Sequence, residues 1–307
     1  MKYAIGIDIG GTKIASGIVN EKGDLIQSEV VKSDPSSREK MFEKVVSCVN
    51  QLLNHCSIPK QEIYGIGVGV PGKVDIENGI AVFQNNLPWT NFPLVDRLKE
   101  ALSIENIVID NDVYMAAYAE WAEAKVKEEH LFAYITISTG ISSSFIKGGK
   151  FIRGAGFAGE LGLIPTYAPG HDKSIERLEQ LAAGPALQQK ARKVFNDESL
   201  MPKDIFAKYE NGNGVARDLI DDMVTSFAHG IYMINSLLDP HKIVLGGSIA
   251  TKNPALLSMI KQKLETYLID EQKHILDEIC ISHLGSDQGI IGAGLRPFQM
   301  NIENNLG

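Results

Sequence analysis

The chain has 307 residues, a formal net charge of −8, 44% hydrophobic residues and 22% charged residues, enough for two domains of ordinary size with substantial cores. The acidic balance, without a Lys/Arg cluster, argues against the basic footprint of a nucleic-acid surface, and no apolar run approaches the roughly 20 residues of a membrane helix. Cys48, Cys56 and Cys280 are too scattered for a disulfide scaffold or a zinc knuckle and fit a reducing cytoplasm, while Asp8 and its neighbouring glycines interrupt any signal-peptide segment.

Residues 3–7 and 14–19 are β-patterned and flank Asp8-Ile9-Gly10-Gly11-Thr12-Lys13, and a third run, 25–31, follows a Gly23-Asp24 turn. The glycines therefore sit at a β-hairpin tip. A dinucleotide fingerprint needs a middle glycine where Asp8 stands and a helix where a strand follows. A Walker A loop needs Gly-Lys-Ser/Thr, and Thr12-Lys13 has the reverse order. What remains is a tip that offers N–H groups, a hydroxyl and an amine to an anion, with a carboxylate beside it suited to hydrated Mg²⁺. An ordinary Gly-Gly turn is an equal reading of this loop alone.

Ser36 with Glu39 predicts a capping box for a helix whose apolar face carries Met41, Phe42, Val45, Val46, Val49, Leu52 and Leu53. In residues 63–70, alternation puts Gly65, Gly67 and Gly69 on one face, open to a close helix or a ligand. Asn78-Gly79 predicts a type I′ hairpin. After the loop Asn85-Asn86-Leu87-Pro88-Trp89 come a helix over 94–102, a strand over 107–109 and a helix over 113–125. Asp110-Asn111-Asp112 stand at the strand's end, where open α/β sheets bind ligands, although capping is the better reading of that tripeptide alone. Residues 131–137, Ser138-Thr139-Gly140 and 141–146 repeat the plan of the first hairpin, which suggests two related halves facing each other across a cleft. Then come a glycine-rich loop ending in Glu160, a helix over 175–182 holding Glu176 and Glu179, and a long helix over 215–238 capped by Asn213. A strand over 243–245 leads to the Gly246-Gly247 turn, which could lie against an adenine ring or be an ordinary βα turn. A helix over 254–267, a strand over 279–284 and a closing helix from residue 288 complete the pattern of two sheets flanked by helices.

In this order, the motifs resemble those of the ROK family of bacterial sugar kinases and repressors, within the actin-like and hexokinase-like ATPase fold. The resemblance runs from Asp-x-Gly-Gly-Thr-Lys at Asp8 to Gly289-Ile290-Ile291-Gly292-Ala293. Between them stand Gly67-Val68-Gly69-Val70-Pro71-Gly72-Lys73-Val74-Asp75, Asn86-Leu87-Pro88-Trp89, Asn111-Asp112, Gly159-Glu160-Leu161-Gly162, and Glu179 to Gly184. It implies an α/β, two-lobed (ribonuclease H-like) fold with mixed sheets, its first lobe covering 1–112 plus a helix over 288–307 and its second 113–287. It also implies ATP-dependent phosphorylation of a hexose or hexose derivative at the 6-hydroxyl, with lobe closure excluding water. Asp112 would be the general base, and Asn86, Asn111, Glu160 and Glu179 would bind sugar hydroxyls. Gly10, Gly11, Thr12, Lys13, Thr139 and Gly140 would hold phosphates, Gly246 and Gly247 would lie near the adenine, and Asp8 would hold Mg²⁺ through water. Homodimers are common in the family.

The chain departs from the family pattern at four places. Ser142-Ser143-Ser144 replace glycines of the second phosphate loop; serine adds hydroxyls but restricts positive φ, which leaves ATP affinity open. Tyr114 replaces an asparagine. Leu163 replaces a histidine, and the three zinc cysteines are missing, the last falling at Arg177. His171 is the sole soft ligand left in that segment, so no structural zinc is expected. Two alternatives accompany the kinase reading. A repressor of this family would need a DNA-binding domain before Asp8, where only seven residues stand. A sugar-binding pseudokinase or regulator would fit the serine-rich loop but has no need of Asp8, Lys13 and Asp112.

Overall fold

Tyr3–Ile9 (β1), Lys13–Asn20 (β2) and Leu25–Lys32 (β3) form an antiparallel meander whose inner strands are buried almost continuously, while Ile26, Ser28, Val30 and Lys32 of β3 face outward in alternation. They open the first of two units in a computed structural model that describes residues 1–84, 86–169 and 174–304. The first unit takes residues 1–125 and the segment from 286 onward; the second takes 126–285.

Helix α1 (Arg38–His55) starts one residue later than its capping pattern predicts. Ser37 accepts from the Lys40 N–H, while the Ser36 hydroxyl is spent on Asp34. Its residues Met41, Phe42, Val45, Val49 and Leu52, spaced three and four apart, bury against Ile14, Ile18 and the next strand. That strand, β4 (Ile63–Val70), lies parallel to β1. β5 (Lys73–Asp75), β6 (Ile80–Phe83) and β7 (Thr90–Phe92) form a small antiparallel sheet. The type I′ turn does not form: Asp75 accepts the Asn78 N–H in a longer loop, and only Gly79 of the pair takes a positive φ. α2 (Leu94–Leu102), β8 (Ile107–Asn111, parallel to β4) and α3 (Asp112–Ala124) follow.

In the second unit β9 (Leu131–Ile137), β10 (Ile141–Lys147) and β11 (Lys150–Phe151) repeat the meander. A two-stranded hairpin of β12 (Pro165–Tyr167) and β13 (Ile175–Arg177) stands where a helix was expected to begin, and α4 (Leu178–Ala182) takes only the end of that prediction. α5 (Gly184–Phe195), α6 (Pro202–Glu210) and α7 (Gly214–Leu238, capped by Asn213 as predicted) pack beneath the sheet. β14 (Lys242–Gly246) leads directly into α8 (Gly247–Lys252), then α9 (Ala255–Glu265), α10 (Ile275–Glu278) and β15 (Ile279–Ile281).

The strand orders are β3-β2-β1-β4-β8 and β11-β10-β9-β14-β15, each a meander followed by two parallel strands. The repeat read from the two hairpins is thus a repeat of topology, and the class is α/β with mixed sheets. The last helix, α11 (Gln288–Asn304), returns to the first unit. A Cβ at Gly6 of β1 or Gly67 of β4 would collide with the Ile290 or Ala293 carbonyl, so these bare positions serve packing of α11, while Gly65 abuts Asn106 and Gly69 abuts α3. A Cβ at Gly292 would collide with the Met115 carbonyl, so α3 packs on α11 and belongs to the first unit, against a boundary expected at residue 112.

Candidate active site

In the first unit the candidate residues collect at the carboxyl ends of three adjacent parallel strands, with Asp8 of β1 in register with Gly69 of β4, and Gly69 in register with Asp110 of β8. The tip Gly10–Thr12 closes with the Gly10 N–H donating to the Lys13 carbonyl at 2.9 Å. Neither Gly10 nor Gly11 takes a left-handed φ, so this is not a type I′ turn. Thr12 and Lys13 are exposed and Asp8 is half-buried. Burial raises the pKa of Asp8, and the charge of Lys13 partly offsets that. Gly289, at the head of α11, leaves room for this carboxyl: a Cβ there would stand 2.9 Å from Asp8 Cγ.

Asn86 is exposed and its backbone abuts Gly11. Its loop is anchored by Trp89, which stacks on Phe92 at 4.7 Å and donates its indole N–H to the Arg38 carbonyl at 3.1 Å. Asn111 does the capping its tripeptide suggested: its Oδ1 accepts from Val113 N–H at 2.9 Å, and its Nδ2 donates to the Gly72 carbonyl at 3.0 Å. Asp112 is the first residue of α3, and its Oδ1 accepts from the Val113 N–H at 3.0 Å.

In the second unit the tip Ser138-Thr139-Gly140 joins β9 to β10. The Gly184 N–H at the head of α5 donates to the Ser138 carbonyl at 2.8 Å. Glu179 of α4 lies beside the tip, its Oε2 3.5 Å from where a Cβ on Gly140 would be and 3.2 Å from one on Gly162. Glu160 is exposed as a residue, yet desolvation of its carboxyl and then the charge of Glu179 raise its pKa. Ser142–144 lie within β10 with ordinary φ, so the concern over positive φ does not apply to them. Ser143 instead staples the glutamate loop, its N–H and Oγ both donating to the Gly159 carbonyl, at 2.7 and 2.9 Å. Gly247 has φ +82, and a Cβ there would crowd the Ile137 carbonyl and Thr136, while one at Gly246 would strike Tyr134. Packing alone therefore demands both glycines.

Among the described residues, no group of three or more His, Cys, Asp or Glu could hold a metal ion; His171 lies outside the described residues. Leu163 is 43% exposed. Ser33, which no sequence motif singled out, hydrogen-bonds the first tip from behind. None of the described helices is long and apolar enough to cross a membrane.

The family model described as "ROK family" matches residues 4–295. A glucokinase from Halalkalibacterium halodurans is 26% identical, covering 95% of this chain and 94% of that protein. Among solved structures, a ROK hexokinase from Thermus thermophilus is 27% identical with a TM-score of 0.81, covering 98% of this chain and 99% of the other. A ROK family glucokinase from Streptomyces griseus, in complex with glucose and AMPPNP, is 27% identical with a TM-score of 0.78, covering 95% of this chain and 98% of the other.

Proposed function

The chain belongs to the ROK family, and we infer from this that it is an ATP-dependent carbohydrate kinase acting on a hexose or hexose derivative. The observation that carries the reading within the molecule is the first sheet's shared edge. One end of it holds an anion-binding hairpin (Gly10–Lys13), a carboxylate beside it (Asp8) and a second carboxylate at a helix head (Asp112). Phosphoryl transfer asks mainly for positioning and charge neutralisation, and these groups suit it.

In this reading Asp112 takes the proton from the acceptor hydroxyl, the 6-hydroxyl, as that oxygen bonds to the γ-phosphorus and the bond to ADP breaks. Asn86, Asn111, Glu160 and Glu179 bind the remaining sugar hydroxyls; the spare Asn111 amide hydrogen and the exposed Glu160 support this. Gly10, Gly11, Thr12, Lys13, Thr139 and Gly140 hold phosphate oxygens, with Gly246 and Gly247 beside the adenine. One partly desolvated carboxylate beside a phosphate loop fits Mg²⁺, which takes one or two carboxylates, phosphate oxygens and several waters, so Asp8 would hold it through water. Bound there, the ion neutralises phosphate charge. The scattered Cys48, Cys56 and Cys280 and the acidic net charge support a cytoplasmic enzyme that does not bind nucleic acid, and a homodimer is the proposed assembly, to be checked by sedimentation.

Coupled ATP turnover against glucose, other hexoses, N-acetylated hexosamines and glucosides tests the reading. A phosphorylated sugar with ADP release in equal amounts supports it. Sugar binding without turnover on any member of the panel would instead make the protein a sugar-binding regulator.

A further inference from the structure

We propose that Ser33 is a positioning residue that sets the peptide orientation of the first hairpin tip for the phosphates of ATP. This rests on the reading of that tip as a phosphate loop. Ser33 follows β3 directly and is only 7% exposed. Its Oγ donates to the Gly10 carbonyl at 2.6 Å, and its N–H donates to the Thr12 carbonyl at 3.1 Å. One residue thus draws two carbonyls of a four-residue tip to the same side.

The geometry of the peptide unit turns this into a statement about donors. The described chain has no cis peptide, and in a trans peptide the N–H points opposite to the C=O of the same unit. With the Gly10 and Thr12 carbonyls held toward Ser33, the Gly11 and Lys13 N–H groups point away from it. Gly10-Gly11 is the part of the tip with the most backbone freedom. Without the hydroxyl, the peptide between them can rotate and offer a carbonyl oxygen where an anion needs a donor. Both of these Ser33 hydrogen bonds go to tip carbonyls, so its effect passes through the backbone.

Steady-state kinetics with ATP and sugar varied separately test this on the full chain, comparing wild type with Ser33→Ala, Ser33→Thr and Lys13→Ala. Ser33→Ala should raise the KM for ATP about five- to tenfold, the scale of one lost hydrogen bond, with the KM for sugar unchanged. Ser33→Thr keeps the hydroxyl and should recover most of that loss. Equal rises in both KM values would mean a general structural effect and overturn the proposal. An unchanged KM for ATP in Ser33→Ala, with Lys13→Ala impaired, overturns the proposal and leaves the phosphate loop standing. A silent Lys13→Ala would remove the phosphate loop and the proposal with it. Should Ser33→Ala not fold, Ser33→Cys, with its weaker donor, is read by the same split.

Discussion

Gly11 faces the backbone of Asn86: a Cβ on Gly11 would stand 3.0 Å from the Asn86 carbonyl oxygen and 3.1 Å from its Cβ. The proposed phosphate tip and the proposed sugar loop therefore touch within one unit, and neither can shift by much alone. Gly11→Ala should displace the Asn86 loop by a few tenths of an ångström. We expect it to raise the KM for ATP and for sugar together, each by about tenfold, below the hundredfold that a 1 Å misplacement can cost. A sugar KM equal to wild type would show that the contact does not couple the loops.

Asp112→Asn keeps size and the position at the head of α3 but removes basicity. It should lower kcat by about 10²-fold or more, the usual scale for loss of a general base, with sugar affinity by calorimetry nearly intact. Turnover like that of wild type would end the assignment.

Turnover should stop in EDTA and return on adding Mg²⁺. Lys13→Ala should raise the KM for ATP about tenfold, as expected for a lost charge-assisted contact, at constant sugar affinity. Activity in the chelator without divalent cation would contradict the Asp8 assignment.

Asp8 and Glu160 both hold their protons more tightly in the folded chain than unfolded, mainly through desolvation. A raised carboxyl pKa makes stability rise as pH falls through the folded value toward the ordinary one, 4.5 for the glutamate, and costs stability above it. Glu160→Gln should therefore melt slightly higher than wild type at pH 7, with the difference fading as pH approaches 4.5. Its kcat/KM for sugar should fall about 10- to 100-fold, the scale of a lost hydrogen bond to a charged group. A lower melting temperature than wild type at pH 7 would show that the carboxylate is net stabilising.

Leu163 offers apolar surface where the family pattern has a histidine. We hypothesise tolerance of substitution at C1 or C2 of the sugar, because no buried polar partner is left unpaired when a hydroxyl is missing there. Glucose, 2-deoxyglucose and methyl β-glucoside should differ modestly in kcat/KM; a penalty of about 10⁴-fold for removing or capping a hydroxyl would refute the idea. Without the three cysteines, chelator-washed protein should carry no structural zinc, and one tightly held zinc per chain by metal analysis would refute that.

Both hairpin tips, the Asn213 cap and the Asn111-Asp112 strand end are legible in the sequence, because each is a short polar signal beside an apolar run. What the sequence conceals is mostly contact across distance. Ser33 meets Gly10 from 23 residues away, and nothing local marks it. The strand over 141–146 is legible, but that it keeps Ser142–144 out of the loop conformation suggested by the family pattern shows only in their pairing with β9. α5 and α6 escape a periodicity reading because each buries a narrow stripe, Ala186, Leu187 and Ala191 in one and Ile205 and Phe206 in the other. The β12–β13 hairpin overrides a helical pattern at Ile175 and Glu176 because these residues pair with Tyr167 and Thr166.

The return of α11 to the first unit fixes an order of events during synthesis. Residues 126–285 form one uninterrupted stretch, so the second unit can close its core as soon as it leaves the ribosome. The first unit has had its strands for far longer but still lacks the helix that covers Gly6 and Gly67 and brings Gly289 to Asp8. The faces of β1 and β4 at these glycines stay uncovered until α11 is made. The half of the protein that is translated first is thus the half that matures last, and the carboxylate assigned to the metal gains its final surroundings only then.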